Sequence, residues 1–134
     1  MSQVGIYEEA LPCGAKLKVT KSSWQIEYYF PGPDLRHNGT FVRIQGSQVH
    51  SFISAFQENW KKYSELKKSI PKGGEFNAAG NLGMQIRVGD FNEGVCIESY
   101  HMPLKSLDSI NKVIEGYKYA MKRAPEIQKF LSSL

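Results

Sequence analysis

Residues 84–100, MQIRVGDFNEGVCIESY, decide the fold. Met84, Ile86 and Val88 alternate with Gln85 and Arg87, and Val95 and Ile97 alternate with Cys96, Glu98 and Tyr100. A period of two puts alternate side chains on opposite faces of a strand. Asp90 and Gly94 lie between the two runs and supply a turn, so the stretch is predicted to be a β-hairpin. Met84, Ile86, Val88, Val95 and Ile97 are expected to face a core, and Cys96, Glu98 and Tyr100 to face outward. An earlier stretch reads as a second copy. In residues 16–29, KLKVTKSSWQIEYY, Leu17 and Val19 alternate with Lys16 and Lys18, and Ser22-Ser23 supplies the turn. Trp24, Ile26, Tyr28 and Phe30 then alternate with Gln25, Glu27 and Tyr29.

Working outward from each hairpin gives the same order of elements. Residues 4–11 before the first hairpin read as an edge strand or a loose arm, broken by Pro12 and Gly14. The turn-rich PGPDLRHNG, residues 31–39, leads to a short strand at 40–45 with Val42 and Ile44 on one face and Phe41 and Arg43 on the other. Ser47 is the expected cap of a helix to about residue 68, with Val49, Phe52, Ile53, Phe56, Trp60 and Tyr63 as its apolar stripe. Pro71 stops it. The glycine-rich residues 71–83 hold a weak strand near 75–79. After the second hairpin, residues 101–105 are extended. Ser106 caps a helix with the stripe Leu107, Ile110, Ile114, Tyr117 and Met121. Pro125 is expected to end or kink it, leaving 126–134 as a short final helix. The predicted fold class is α+β: a single domain, 1–134, of two ββββα halves, about 4–70 and 73–134. Two antiparallel four-stranded sheets pack with two long helices.

Composition sets bounds. The chain has 134 residues, 41% hydrophobic and 22% charged, ordinary values for a soluble globular domain. It carries no run of the roughly 18 apolar residues a membrane span needs. The first residues lack the pattern of a targeting peptide, so a cytoplasmic location is expected and no membrane partner. Cys13 and Cys96 form no CxxC and are read as reduced thiols. The formal net charge of +4 permits a polyanionic partner without demanding one.

No catalytic pattern emerges. Lys72-Gly73-Gly74 and Gly80-x-x-Gly83 are followed by no GK[ST], and there is no G-x-S-x-G elbow. His37, His50 and His101 have no metal-ligand spacing with the cysteines or acids. Asp90, Glu93 and Glu98 form an acidic cluster of the type a nuclease wants, but two of them sit in or beside a turn, where acids serve local hydrogen bonds. The expectation is a non-enzyme with no cofactor, no metal and no catalytic residue.

Three stretches resemble one family. GAKLKVTKSSWQIEYYFPGP is similar to the first hairpin of the Whirly proteins, FVRIQGSQVHSFISAFQENWKKY to their strand-to-helix junction, and MQIRVGDFNEGVCIESYHMPLKSLDSI to the hairpin of the related transcriptional coactivator positive cofactor four. In that superfamily a four-stranded antiparallel sheet precedes a helix and two such units pack together. The likeness spans residue 14 to about residue 124. It departs from plant Whirly proteins around residues 6–11, where their basic KGKAAL-type motif is replaced by a segment with Glu8 and Glu9. That fits a microbial or phage-encoded relative, in a bacterial or phage-infected cell.

The resemblance implies binding of single-stranded DNA, with RNA as a variant, with little sequence preference. It also implies a role in replication, recombination or transcription and a homo-oligomer, dimer or tetramer. Such binding needs cations for phosphates and aromatic faces for bases. The outward strand faces offer Lys16, Lys18, Tyr29, Phe41, Arg43, Gln85, Arg87 and Tyr100, and the turns add Lys21, Trp24 and Phe91. The aromatics read equally as core or as a protein interface, and Trp24 shares the parity of Ile26. Glu27 and Glu98 occupy matching outward positions and are expected to pair with Lys18 and Arg87, tempering the basic surface. The competing reading is a protein-interaction module that uses the aromatic strand faces.

Overall fold

The computed structural model describes residues 5–32, 39–98 and 101–134. Its element order is β1 (Tyr7–Ala10), β2 (Lys16–Val19), β3 (Trp24–Phe30), β4 (Thr40–Gln45), α1 (Val49–Ser69), β5 (Phe76–Ala79), β6 (Gln85–Val88), β7 (Gly94–Glu98), β8 (His101–Leu104) and α2 (Leu107–Ser132). Two antiparallel four-stranded sheets form in simple sequence order, β1-β2-β3-β4 and β5-β6-β7-β8. The fold is α+β, with the two ββββα runs the alternation predicts.

The chain divides into two compact units. One holds residues 1–49 and 115–134, the other residues 50–114. In the first unit, Leu17 pairs with Ile26, and Ile26 with Ile44, so one face of the sheet is continuous apolar surface. Leu17, Val19, Ile26, Tyr28 and Ile44 are buried there. The C-terminal part of α2 contributes Tyr117, Ala120, Ala124, Ile127 and Leu131 as its buried stripe. The Tyr28 and Tyr117 hydroxyls share a buried hydrogen bond of 2.7 Å. Burial pushes the pKa of both phenols up, so both stay protonated as donors.

In the second unit, Met84, Ile86, Val88, Val95 and Ile97 form the buried sheet face, and α1 buries Ile53, Ala55, Phe56 and Tyr63. Asn59 is also fully buried within this helix. Its amide nitrogen donates to the Asn81 carbonyl at 3.2 Å, and its oxygen accepts the Asn81 N–H at 2.8 Å. Both contacts hold the β5–β6 connection, where Leu82 adopts a left-handed φ of 54°.

Several expectations are corrected. Cys96 has the outward parity of Gln85 but is 0% exposed, lying against the preceding β6–β7 turn, where its thiol donates to the Asn92 carbonyl at 3.4 Å. Leu107 is exposed and starts α2 outside the stripe, which begins at Ile110. α2 runs unbroken through Pro125 to Ser132, because the buried residues Ala124, Ile127 and Leu131 carry one apolar stripe past the proline. The start of α1 is preceded by one 3₁₀ turn, Gly46–Gln48, whose cap is Gln45 with its N–H on Gln48 Oε1 at 3.3 Å, in place of Ser47. At α2 the expected cap holds: the Ser109 N–H donates to Ser106 Oγ at 3.1 Å.

Candidate functional site

The outward face of the first sheet gathers five of the eleven candidate residues. Strand parity places Glu8, Lys16, Lys18, Gln25, Glu27, Tyr29, Phe41, Arg43 and Gln45 on one side, opposite the buried Leu17, Ile26 and Ile44. Tyr29 and Phe41 are direct cross-strand partners with ring centroids 4.8 Å apart, and they are 53% and 49% exposed. The Arg43 guanidinium lies 4.7 Å from the Phe41 ring centroid. Gly39 lets the backbone lie against the Tyr29 ring, since a Cβ there would sit 2.4 Å from its atoms. Tyr29, Phe41, Lys16, Glu27, Ala10 and Ala15 border an open hollow of about 460 Å³.

The electrostatics of this face are mixed. Glu27 sits at its centre, only 6% exposed, paired with Lys18 at 3.2 Å and Arg43 at 2.8 Å. Burial alone would raise its pKa, but the hydrogen bonds from Lys18 and Arg43 outweigh that, and the carboxyl is held below its usual value. Lys18 also meets Glu8 at 3.3 Å, and Lys16 lies 3.9 Å from the same carboxylate. The Lys18 ammonium is raised by its bonds to Glu27 and Glu8. The expected Lys18–Glu27 pair is therefore present, and β1 adds a second acid that the hairpin alone does not reveal.

The matching pair on the second sheet does not form. Arg87 lies opposite Gly94 in the register, out of line with Glu98, and turns instead to Asp90 at 2.6 Å. Its Nε and Glu98 Oε2 are buried without a hydrogen-bond partner among the described residues. Gln85 is half-buried opposite Cys96. Burial raises the Cys96 thiol to about 11, against a smaller lowering by Arg87, so it stays protonated. Phe91, at the hairpin tip, is 93% exposed. Of the remaining turn residues, Lys21 is exposed and Trp24 half-buried, while Tyr100 lies outside the described residues. Lys16, Lys18, Tyr29, Phe41 and Arg43 thus form one surface of the first unit, and Gln85, Arg87 and Phe91 belong to the second.

Among the described residues there is no group of three or more His, Cys, Asp or Glu placed to hold a metal ion, and no helix long and apolar enough to cross a membrane. Asp90 and Glu93 serve the hairpin turn: the Asn92 N–H donates to Asp90, and the Gly89 N–H to Glu93. No family model, curated protein or solved structure matches the chain.

Proposed function

We propose that the chain is a non-enzymatic binder of single-stranded nucleic acid, DNA in the first instance, of the kind the Whirly and positive-cofactor resemblance implies. It acts on exposed strands in replication, recombination or transcription, as a homo-oligomer. The observation that carries the reading is the exposed Tyr29–Phe41 ring pair flanked by Arg43, Lys16 and Lys18 on one sheet face. Ring faces stack on bases of any sequence and the cations meet phosphates, which gives affinity without sequence preference. The test is fluorescence anisotropy of a labelled oligothymidine titrated at several salt concentrations with duplex as competitor. Three cations on the face predict a log–log salt slope of about −2. Absence of binding at low salt overturns the reading.

A protein-interaction module is the second reading. It is favoured by Glu8 and Glu27, which neutralise cations on the same face, beside a hollow bordered by Tyr29 and Phe41. A stable complex with another protein and no affinity for oligonucleotides would select it.

A further inference from the structure

The first unit carries a second hollow that none of the candidate cations reaches. It has a volume of about 370 Å³ and is bordered by Ser22, Ser23, Trp24, Gln45, Ser47 and Gln128, with Gly46 beneath the indole. A Cβ at position 46 would lie 2.4 Å from Trp24 Nε1 and Cε2, so only glycine lets the ring settle there. Ser23 Oγ is engaged with Thr20 Oγ1, and the Gln45 amide with Gln25. No hydrogen bond among the described residues engages the side chains of Ser22, Ser47 or Gln128, or the Trp24 indole N–H.

The lining therefore joins an aromatic ring to neutral donors and acceptors, with no charged side chain. A phosphate or carboxylate would find no counter-ion there. A flat, uncharged heterocycle with hydrogen-bonding edges fits: the indole offers a stacking surface and the Gln128 amide both a donor and an acceptor. Trp24 opens β3, the strand that carries Tyr29, about 17 Å away by the strand's rise but on the opposite face of the sheet. A bound strand therefore reaches both by passing round the end of the sheet at the Ser22-Ser23 turn, where Trp24 lies.

We infer that this hollow receives a nucleobase of the bound single strand, as an uncharged subsite apart from the Tyr29–Phe41 face. The inference rests on the single-strand reading above. Trp24 and Trp60 are the chain's two tryptophans, so Trp60→Phe leaves Trp24 emission as a reporter of the hollow. In that variant, oligothymidine quenches the emission with the midpoint seen by anisotropy. Free thymidine, which has the base without phosphate, quenches as well, and glucose does not. Gln128→Leu in the otherwise native chain lowers oligothymidine affinity about fivefold, the scale of one net hydrogen bond to the base edge. It leaves the salt slope unchanged, because no charge is altered. Binding by anisotropy with unaltered Trp24 emission and a neutral Gln128→Leu overturns the subsite and leaves the single-strand reading standing. Quenching by glucose but not thymidine overturns it too. No anisotropy change with any oligonucleotide overturns both.

Discussion

Glu27 is the side chain on which the proposed surface turns. It is nearly buried, yet it holds Lys18 and Arg43, two of the three cations offered to phosphate. Each is partly solvated, so losing the carboxylate leaves neither buried and unpaired. Glu27→Gln keeps the shape and removes the charge, and is expected to tighten oligothymidine binding severalfold and steepen its salt slope. Stability falls by about 1 kcal/mol in urea unfolding, the scale of partly exposed ion pairs. Weaker strand binding with an intact fold would count against the surface. The position of Glu27 was legible in the sequence, since strand alternation alone put it outward beside Lys18. Its burial was not, because that depends on Arg43 and Glu8 arriving from β4 and β1. Arg87 shows the converse. Alternation placed it outward, but a short turn to Asp90 captured it first.

At the scale of elements, two polar contacts hold the second unit's connections. Asn59 gives α1 a buried amide that satisfies both the N–H and the carbonyl of Asn81. Asn59→Ala strands those groups and leaves a cavity, at a cost of about 2–3 kcal/mol measured by urea unfolding. Asn59→Asp keeps the volume and recovers only the acceptor half. Glu93 ties the β6–β7 turn to α1, accepting from the Gly89 N–H at 2.7 Å and from Lys67 at 2.7 Å. The Gly89 N–H first, and then Lys67, hold its carboxyl down at about 2. A depressed carboxylate stabilises the fold fully above its unfolded value near 4.5 and loses that contribution as pH falls toward 2. Glu93→Gln is thus expected to be about 1–2 kcal/mol less stable than the native chain at neutral pH, after discounting for the solvated Lys67. The two should converge as pH approaches 2. A gap independent of pH would show that the charge is not what matters. The strands and helices around these contacts were legible from periodicity. Asn59 was not, because a polar residue on a helix gives no sign of the turn it meets.

At the scale of the whole molecule, the repeat along the chain and the compact units in space do not coincide. Along the chain, each sheet is followed by one helix, α1 after β4 and α2 after β8. The first unit joins β1–β4 to residues 115–134, the far end of the second helix. Three kinds of contact make that junction. Tyr117 bonds Tyr28 in the core, a Cβ on Gly116 would meet Cys13 Sγ at 3.0 Å, and Glu9 on β1 takes hydrogen bonds from Tyr119 and Arg123. Those bonds, led by Tyr119, lower the Glu9 carboxyl, so it is charged where Arg123 meets it. No reading of local periodicity finds this, because periodicity shows that a helix has an apolar face and not which sheet it covers. The consequence is a cut that separates the alternatives. A fragment of residues 1–70 contains a complete ββββα repeat but lacks residues 115–134, the helical part of the unit in which Leu17, Val19, Ile26, Tyr28 and Ile44 are buried. Each such side chain gains about 1.5–3 kcal/mol on burial, so losing the cover of several exceeds the usual net stability of a domain. The fragment is expected to show little ordered structure by circular dichroism and amide dispersion. Adding residues 73–134 in trans should restore it, with the Tyr28 and Tyr117 ring environments returning together. A fragment 1–70 that folds cooperatively alone would mean that α1 can cover its own sheet and that the repeat is the folding unit.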